Sequence, residues 1–463
     1  MFTRELIDFR DKRVTVMGLG LFGGALGITK YLVSQGAIVT VTDTKDRDEL
    51  KESVKTLESL PVRLKLGGHD EADFTQTDVV IVNPAVPLES PYVQAARAKG
   101  VPLETEMNLF FKICPSPIIG ITGSSGKTTT TTLVGEMVKK AYPGALVGGN
   151  IGGSLVGQAS ELDERIPVVL ELSSFQLQNL GYIGLSPHIA VVTNISPNHL
   201  DRHGTMEEYI AAKKHIITHQ KEGYVAILNY DDPVLKGWKS EVRGELVFFS
   251  LRSQIGEGAF VRDDIIYFGS ALGSPYEVFD LRDFKLLGNH NIENALSAAA
   301  AAISYGVDEK IIAEVLRDFR GVEHRLELVR EIEGVRYYND SMATSPDRTI
   351  ATLDCFSGGI VLIAGGSDKK LPFDRLSEVI AAKVKHLILI GQTMPKIAKL
   401  VSEKHSATIL HRCSALSEAV NKAREVSRPG DVVLLSPASA SYDMFRNFEE
   451  RGRLFKKWVW ELY

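Results

Sequence analysis

The sequence predicts an α/β protein built from three domains, and three observations lead to this prediction. The 463 residues are too many for one core, because a domain averages about 150 residues. Short β-branched runs alternate with helical patterns along the chain, as in parallel α/β sheets. Two strand-to-helix junctions carry glycine-rich loops of the kind that bind phosphate groups.

Composition and charge exclude several classes of protein. Apolar residues make up 44% and charged residues 24% of the chain, which rules out a disordered, collagen-like or coiled-coil protein. The net charge of −5 comes without a basic stripe, so nucleic-acid binding is not expected. Charges near the start exclude a secretory signal, and no apolar run reaches the roughly 18 residues of a membrane span. We therefore expect a cytoplasmic protein.

The first domain is predicted over residues 1–106, with strands at 14–17, 37–42 and 78–83 and a helix at 25–35. Residues 18–23 read Gly-Leu-Gly-Leu-Phe-Gly after the first strand, and Asp43 ends the second. This spacing matches a Rossmann-like fingerprint, in which backbone amides approach a diphosphate and the carboxylate holds a ribose or base. A tight turn without ligand explains one such motif equally well. A diphosphate is better supported than NAD.

The second domain is predicted over residues 107–321 and carries a sharper motif. An apolar strand at 118–122 is followed by Gly-Ser-Ser-Gly-Lys-Thr-Thr at 123–129 and then by a helix. In such a phosphate loop, Lys127 reaches the β- and γ-phosphates of ATP, and the Thr128 hydroxyl joins a Mg²⁺ shell. Ile121 stands where the strict pattern has glycine. The domain is therefore expected to be a parallel sheet of the P-loop ATPase type with a variant loop.

Two polar side chains follow later strands of this domain. Glu171 is the only charge in the apolar strand 168–172, and His199 follows the strand 188–194. Parallel sheets collect ligands at the carboxyl ends of their strands, where a carboxylate suits Mg²⁺ and a histidine can complete a metal or phosphate site. Singly, Glu171 could be a paired edge residue and His199 a helix cap. Their common register with the phosphate loop favours function.

A lysine lies on the apolar face of a predicted helix at 206–220. On a helical wheel, Lys213 falls in the middle of the apolar stripe, where an unpaired ammonium is costly. A lysine that extends its stem to solvent explains this placement about as well. The neighbouring Lys214 falls off the stripe and is expected to be solvated.

The third domain is predicted over residues 322–463 as a second Rossmann-like α/β unit, with strands at 360–364, 386–390 and 432–436. Polar segments follow its apolar runs at 339–341, 365–369 and 436–441, and His-Arg stands at 324–325. Such turns are mostly structural punctuation, although strand-end loops also carry the chemistry of these sheets. Individually these signals are weak.

Read in order, these segments resemble the Mur ligase family, the ATP-dependent amide-forming enzymes of peptidoglycan synthesis. The resemblance covers essentially the whole chain and rests on residues 122–129, 149–152, 171–177, 199–202, 290–294 and 324–325. The short first domain and residues 435–452 favour the branch that adds D-glutamate to UDP-N-acetylmuramoyl-L-alanine. The resemblance implies that ATP phosphorylates the substrate carboxylate and that the amine of D-glutamate attacks the acyl phosphate. It also implies Mg²⁺ and a monomer.

The resemblance also implies roles for individual residues. The UDP-substrate contacts would be Gly20, Leu21, Asp43, Thr44 and Asn150. The ATP contacts would be Gly123, Ser124, Ser125, Gly126, Lys127, Thr128, Thr129, Asn291, Arg325 and Asp340. The metal or phosphate contacts would be Thr128, Glu171, His199 and Lys213, the last as a carbamate formed with CO₂. Lys127, Glu171, His199 and Lys213 would be catalytic. The D-glutamate contacts would be Thr344, Lys369, Ser441 and Phe448.

Three positions depart from the family pattern. Ser125 stands where the loop commonly has Asn, Asn198 where an Asp usually precedes the histidine, and Met342 where this branch often has Lys. The last departure removes a cation near the expected amino-acid site. The alternatives are a sibling ligase for another amino acid, a folylpolyglutamate synthetase-like ligase, an NAD-dependent oxidoreductase and a nucleotide-binding regulatory protein without turnover.

Overall fold

The computed structural model describes residues 5–19, 24–84, 86–151, 154–270, 273–369 and 371–463. The chain divides into two compact units. Unit 1 comprises Met1–Phe284 with Asn289–Asp318, and unit 2 comprises Lys285–Gly288 with Phe319–Tyr463. In the part of the chain that is described, no helix has the length and apolar character needed to span a bilayer.

The first sheet of unit 1 has five parallel strands in the order β3-β2-β1-β4-β5. The strands are β1 (Arg13–Met17), β2 (Ile38–Asp43), β3 (Val62–Leu66), β4 (Val79–Val82) and β5 (Leu103–Glu104). The helices are α1 (Gly24–Ser34), α2 (Lys51–Leu57), α3 (Glu71–Thr75), α4 (Pro91–Ala98) and α5 (Glu106–Ile113). The strand order reverses between β1 and β4, which is where such sheets bind ligands.

The second sheet of unit 1 has nine strands in the order β14-β13-β12-β11-β10-β9-β6-β8-β7. The strands are β6 (Ile118–Thr122), β7 (Leu146–Gly149), β8 (Val168–Glu171), β9 (Ile189–Val192), β10 (Val225–Asn229), β11 (Glu245–Ser250), β12 (Gly258–Arg262), β13 (Ile265–Ser270) and β14 (Gly273–Asp280). The helices are α6 (Lys127–Ala141), α7 (Ser174–Ile183), α8 (Leu200–His203), α9 (Met206–Thr218), α10 (Pro233–Gly237), α11 (Asn289–Tyr305) and α12 (Glu309–Asp318).

The parallel character predicted for this second sheet holds from β7 to β12, and an antiparallel extension through β13 and β14 completes it. No pattern noted in the sequence predicts this extension. The buried alanines of α11 let that helix pack closely beside α6. Both helices thereby border the phosphate loop.

Unit 2 contains a sheet of six strands in the order β15-β16-β20-β17-β18-β19. The strands are β15 (Glu327–Ile332), β16 (Val335–Asn339), β17 (Ile360–Gly365), β18 (Val384–Ile390), β19 (Ile409–Arg412) and β20 (Val432–Leu435). The helices are α13 (Pro346–Leu353), α14 (Asp374–Lys383), α15 (Met394–Ser402), α16 (Leu416–Val426) and α17 (Phe448–Trp460). All neighbouring strands are parallel except the edge pair β15 and β16.

The predicted fold class is confirmed, because the described chain has three mostly parallel sheets with helices between their strands. Each sheet lies within one of the three predicted domains. The domain boundaries at 106 and 321 remain predictions, and the first two sheets share one compact unit.

Candidate active site

The phosphate loop joins β6 to α6 and needs its two glycines for steric reasons. Gly123 has a φ of 152°, and a Cβ there would lie 1.9 Å from Thr193 Oγ1. Gly126 has a φ of 80°, and a Cβ there would lie 2.3 Å from Asn294 Oδ1. Any side chain at either position would displace these neighbours. The loop ends at the amino end of α6, where backbone amides without a helical partner favour an anion.

The end of β9 holds the loop in place. Ser125 donates from both its amide and its hydroxyl to Asn194 Oδ1, at 3.0 and 3.2 Å. Thr193 Oγ1 donates to the Ser125 carbonyl at 2.6 Å, and the Ser124 amide donates to the Asn194 carbonyl at 2.9 Å. Ser125, one of the departures from the family pattern, is thus part of a preformed loop. Thr193 and Asn194 were not predicted from the sequence, because only the sheet brings them to the loop.

Lys127 lies at the first position of α6. Its Nζ donates to the carbonyls of Gly123 at 2.9 Å and Ser124 at 3.4 Å. The ammonium therefore lies over the loop whose amides would receive a phosphate. This placement suits a cation that compensates the charge of a transferred phosphoryl group.

Glu171 connects the loop to Asn150. It pairs with Ile121 across the parallel strands β8 and β6, and its side chain is 2% exposed. Thr128 Oγ1 donates to Glu171 Oε2 at 2.7 Å, and Asn150 Nδ2 donates to Glu171 Oε1 at 2.8 Å. A hydroxyl and a carboxylate oxygen at this distance are hard ligands of the type Mg²⁺ prefers. The donor set therefore fits Mg²⁺.

Lys213 is buried, as the helical wheel predicts, with 1% of its surface exposed. Its Nζ donates to the Gly123 carbonyl at 2.9 Å and to Thr122 Oγ1 at 3.3 Å, and it lies 4.9 Å from the ring centre of Tyr209. Burial lowers the pKa of this amine well below its usual value, and the nearby charge of Lys127 lowers it further. The alternative of a stem that extends to solvent is therefore wrong.

Lys214 faces away from the site, in agreement with its position on the wheel. It forms an ion pair with Glu241 at 2.7 Å, and 29% of its side chain is exposed. It also lies 5.4 Å from the ring centre of Trp238. The two neighbouring lysines thus differ in environment, which makes Lys214 a matched control for Lys213.

His199 lies at the start of α8 in a left-handed conformation with a φ of 53°. It is exposed, and its ring lies edge-on to Phe175 at 5.6 Å. Phe175 also stacks on His203 at 4.8 Å and lies under the Arg202 guanidinium at 4.0 Å. The preceding residue, Asn198, is exposed as well. Among the described residues, no group of three His, Cys, Asp or Glu side chains is arranged as a metal cluster.

His203 was not predicted from the sequence as a site residue. Its Nε2 lies 2.8 Å from Ser174 Oγ, at the start of α7. Burial lowers the pKa of His203, and the charges of His199 and Lys213 act in the same direction. A neutral, buried ring therefore connects α7 to α8. The periodic pattern offered no signal, because α8 is only one turn long.

Asn291, predicted on the ATP side, is buried near the loop. Its Oδ1 accepts a hydrogen bond from Asn294 Nδ2 at 3.3 Å, and Asn294 is the residue that a Cβ at Gly126 would meet. Asn294 was part of the motif but was not predicted as a site residue. Both amides therefore border the phosphate loop from α11.

In the first sheet, Asp43 is 6% exposed at the end of β2, and its Oδ1 accepts from the Lys45 amide at 2.9 Å. Thr44 is exposed next to it. Asp43 ends β2, the strand next to β1, and Thr44 follows it at the carboxyl edge of the sheet. Gly20 and Leu21, two further predicted UDP-substrate contacts, lie outside the described residues, and Asn150 is the residue that donates to Glu171.

Asp340 follows β16 in unit 2 and is 4% exposed. Its Oδ2 accepts hydrogen bonds from Thr352 Oγ1 at 2.6 Å and Ser436 Oγ at 2.7 Å, and its Oδ1 accepts from the Leu326 amide at 3.2 Å. Burial raises the pKa of this carboxyl to about 6, although the hydrogen bonds and the charge of Arg325 oppose the rise. The charge of Arg325 thus acts on Asp340, and the assignment of both residues to ATP stays a prediction.

Thr344 and Lys369 are brought together from two different loops. Lys369 Nζ donates to Thr344 Oγ1 at 3.3 Å. Met342 has no charge, but Arg348 donates from Nη1 to its carbonyl at 3.2 Å. Burial lowers the pKa of Lys369, and Arg348 and Arg451 lower it further. The region that lacks a lysine at 342 therefore retains several cations.

Ser441 and Phe448 border the same edge of the sheet. Ser441 is 2% exposed, and its carbonyl accepts from the amides of Met444 at 3.2 Å and Phe445 at 2.9 Å. Phe448 is the first residue of α17, and its carbonyl accepts from Ser341 Oγ at 2.7 Å. The loops after β16, β17 and β20 thus supply Thr344, Lys369 and Ser441, and the first turn of α17 supplies Phe448.

Comparison with known domain families gives a consistent result along the chain. The Mur ligase MurD-like N-terminal domain matches residues 12–104, the Mur ligase middle domain matches 121–302, and the Mur ligase glutamate ligase domain matches 324–439.

The curated relatives match the chain over nearly its full length. The chain is 44% identical to the UDP-N-acetylmuramoylalanine–D-glutamate ligase of Roseiflexus sp. (strain RS-1), covering 98% of this chain and 99% of that protein. It is 45% identical to the ligase of the same name from Symbiobacterium thermophilum, covering 97% and 98%.

Solved structures show the same fold at low identity. The UDP-N-acetylmuramate-alanine ligase MurC from Thermotoga maritima aligns with a TM-score of 0.62 at 19% identity, covering 97% of this chain and 99% of that one. The MurF ligase from Thermotoga maritima in complex with ADP aligns with a TM-score of 0.57 at 19% identity, covering 99% and 98%.

Proposed function

The chain belongs to the Mur ligase family, and we propose that it joins D-glutamate to UDP-N-acetylmuramoyl-L-alanine in a reaction driven by ATP. The observation that carries this proposal is the identity of 44–45%, over nearly the whole length, to ligases named for that reaction. A sibling ligase or a folylpolyglutamate synthetase-like enzyme is not favoured by these relatives. The reaction belongs to peptidoglycan precursor synthesis, and we place it in the cytoplasm, where ATP is available.

The reaction has two steps. The carboxylate oxygen of the UDP substrate attacks the γ-phosphorus of ATP, and the bond to the bridging oxygen breaks to release ADP. The amine of D-glutamate then attacks the acyl carbon, the bond to phosphate breaks, and the amine loses a proton. Lys127 and the loop amides compensate the charge that develops on the transferred group.

Thr128 and Glu171 would hold Mg²⁺, since their oxygens lie 2.7 Å apart beside the phosphate loop. The bound ion would supply positive charge to the phosphate oxygens. Asn150 donates to the other oxygen of Glu171 and so fixes the direction of this carboxylate. His199 would contact the phosphate or metal from the loop before α8.

We propose that Lys213 is carbamylated in the active enzyme. Its buried amine has a lowered pKa and is therefore readily neutral. The nitrogen lone pair forms a bond to the carbon of CO₂, one C=O electron pair moves to oxygen, and the nitrogen releases a proton. The resulting carbamate is an anion next to Thr122 and Gly123, where an ammonium would repel Mg²⁺.

The two organic substrates are assigned to different sheets. We propose that Gly20, Leu21, Asp43 and Thr44 bind the UDP group, because Asp43 and Thr44 follow a parallel strand next to the reversal of strand order. D-glutamate is assigned to the loops of unit 2, where Thr344 and Lys369 are in contact. A dicarboxylate suits a region with several cations.

Phosphate release by the purified protein tests this function. The UDP-muramoyl substrate and ATP-Mg²⁺ are offered with D-glutamate, and in parallel with L-glutamate, L-alanine, L-lysine or diaminopimelate. We expect release only with the UDP substrate and D-glutamate together, and a product whose mass is the sum of the two less one water. Equal release without the UDP substrate, or a faster rate with another amino acid, would overturn the proposal.

A further inference from the structure

We propose that Arg451 positions the loops that receive the amino-acid substrate and supplies positive charge behind them. This inference rests on the proposed function, because it takes Lys369, Ser441 and Phe448 as the glutamate site. Arg451 lies on α17 and is 0% exposed, which makes it the largest fully buried side chain in the described chain. It does not reach substrate and is therefore a positioning residue.

The guanidinium of Arg451 joins two loops that are distant in sequence. Its Nε donates to Ser341 Oγ at 3.0 Å, and its Nη2 donates to the Ser341 carbonyl at 2.9 Å, in the loop after β16. Its Nη1 donates to the carbonyls of Ser439 and Ala440, each at 3.2 Å, in the loop after β20. The planar fork of an arginine suits such a multiple contact better than the point charge of a lysine.

The same contacts continue to the predicted glutamate residues. Ser341 Oγ accepts from Arg451 and donates to the Phe448 carbonyl at 2.7 Å. Ala440 directly precedes Ser441. A Cβ at Gly366, after β17, would lie 3.2 Å from Arg451 Nη1, so the guanidinium also packs against the third loop. One buried side chain therefore touches all three loops that border the site.

Among the described residues, no carboxylate forms an ion pair with Arg451, and the charges of Asp443 and Asp340 act on it only from a greater distance. Each of its hydrogen bonds ends on an uncharged oxygen. Burial lowers its pKa to about 10, against the opposing charges of Asp443 and Asp340, so the group stays protonated at neutral pH. A fully buried arginine is normally paired, because an uncompensated charge is costly to bury.

The charge of Arg451 also acts on the predicted glutamate site. Arg451 Nη1 lies against Gly366, in the loop that carries Lys369, and the positive charges of Arg451 and Arg348 lower the pKa of Lys369. An amino acid with two carboxylates and one ammonium carries a net negative charge, so its binding relieves this repulsion. The inferred role is therefore both geometric and electrostatic, and it is specific to the amino-acid substrate.

Kinetics of Arg451→Met and Arg451→Lys test this role, with Arg453→Met as a matched control, since Arg453 is exposed on the same helix. We expect Arg451→Met to raise the KM of D-glutamate at least tenfold, while the KM values of ATP and of the UDP substrate change less than twofold. Arg451→Lys keeps the charge but loses the fork, so its KM for D-glutamate should rise at least threefold, less than in the methionine variant. Arg453→Met should match the wild type.

A purely structural role predicts a different result, because loosened folding lowers the active fraction and leaves KM values unchanged or shifts all three. An unchanged KM for D-glutamate in Arg451→Met, or a parallel rise for all substrates, would overturn the inference. If Arg451→Met does not fold, Arg451→Lys decides, and a wild-type KM for D-glutamate there overturns it. Wild-type protein that fails to use D-glutamate would instead contradict the proposed function.

Discussion

Lys213 in unit 1 and Arg451 in unit 2 are both buried basic side chains near the carboxyl ends of parallel strands. Lys213 is 1% exposed and Arg451 is 0% exposed, and both donate hydrogen bonds to backbone carbonyls of loops. Burial lowers the pKa of both groups, well below the usual value for the lysine and to about 10 for the arginine. The two side chains differ in their chemistry, because one is an amine and the other is a guanidinium.

Under the two proposals, burial has opposite consequences for the charge of these side chains. An amine can lose its proton and become a nucleophile, so burial prepares Lys213 for modification. A guanidinium with a pKa of about 10 keeps its charge at neutral pH, so burial turns Arg451 into a permanent cation. Under the two proposals, the buried lysine of unit 1 changes its charge on carbamylation, whereas the buried arginine of unit 2 keeps its charge.

The largest expected effect concerns Lys127, the other lysine beside the phosphate loop of unit 1. Lys127→Ala should lower the rate of phosphate release by about 1000-fold, because a charge contact to the transferred group is lost. Circular dichroism should remain that of the wild type, since Lys127 lies on a loop-facing first turn. Lys139→Ala, exposed on the same helix, is the control. Near-normal release in Lys127→Ala would exclude the phosphate-loop assignment.

The second prediction concerns the proposed carbamylation of Lys213, which has no counterpart at Arg451. Lys213→Ala should lose about 100-fold in activity, and Lys214→Ala should stay near the wild type, because Lys214 pairs with Glu241 outside the site. In wild-type protein, removal of CO₂ should lower activity reversibly, and ¹³C-labelled bicarbonate should give a carbamate signal that Lys213→Ala lacks. If bicarbonate does not change the activity and no such signal appears, Lys213 is not carbamylated and the contrast with Arg451 is wrong.

The third prediction uses the buried carboxyl of unit 2. The pKa of Asp340 is about 6 in the folded protein against 3.8 as its ordinary value, so the native state binds the proton more tightly. The stabilisation that comes from this tighter proton binding is complete below about pH 4 and is lost as the pH rises through 6. Between pH 4.5 and pH 7.5 the wild type should lose about 2 kcal/mol that Asp340→Asn does not lose.

Denaturant unfolding at pH 4.5 and pH 7.5 measures this difference. Asp347→Asn, an exposed carboxyl on α13, is the control and should follow the wild type. A pH dependence of Asp340→Asn identical to that of the wild type would show that Asp340 is ionised throughout. The carboxyl would then act as a partial counter-charge to Arg451, and the contrast between the two units would weaken.

The smallest expected effect sharpens the amino-acid side of the comparison. Phe448→Ala and Ser441→Ala should each raise the KM of D-glutamate about tenfold, roughly 1.4 kcal/mol, with the KM of the UDP substrate unchanged. Tyr442→Ala should behave as the wild type, because Tyr442 is 60% exposed beside Ser441. An unchanged KM in both variants would place the amino-acid site away from the loops that Arg451 holds.

The sequence predicts local structure well in this chain. The alternation of apolar runs and helical patterns identifies β1, β6, β8, β17 and β20 within one or two residues of their observed bounds. The wheel of α9 places Lys213 in the core and Lys214 outside it, as found. These successes share one cause, because side-chain periodicity is set by the backbone of a single element.

Contacts between elements are where prediction from sequence stops. Thr193 and Asn194 hold the phosphate loop from β9, and His203 joins two helices through Ser174. The motif residues were found because glycine, lysine and carboxylate have restricted uses at strand ends. Threonine, asparagine and histidine have many uses, so only their neighbours in space reveal what they do.

The sequence by itself therefore determined the fold class, the phosphate loop with Lys127 and Thr128, and the inward face of Lys213, since each depends on residues close together in the chain. Only the tertiary structure decided that Glu171 bonds both Thr128 and Asn150, and that Arg451 is buried between the loops after β16 and β20. The physical reason is that burial and hydrogen-bond partners arise where distant strand ends meet in a parallel sheet. No local pattern encodes which loops will share that edge.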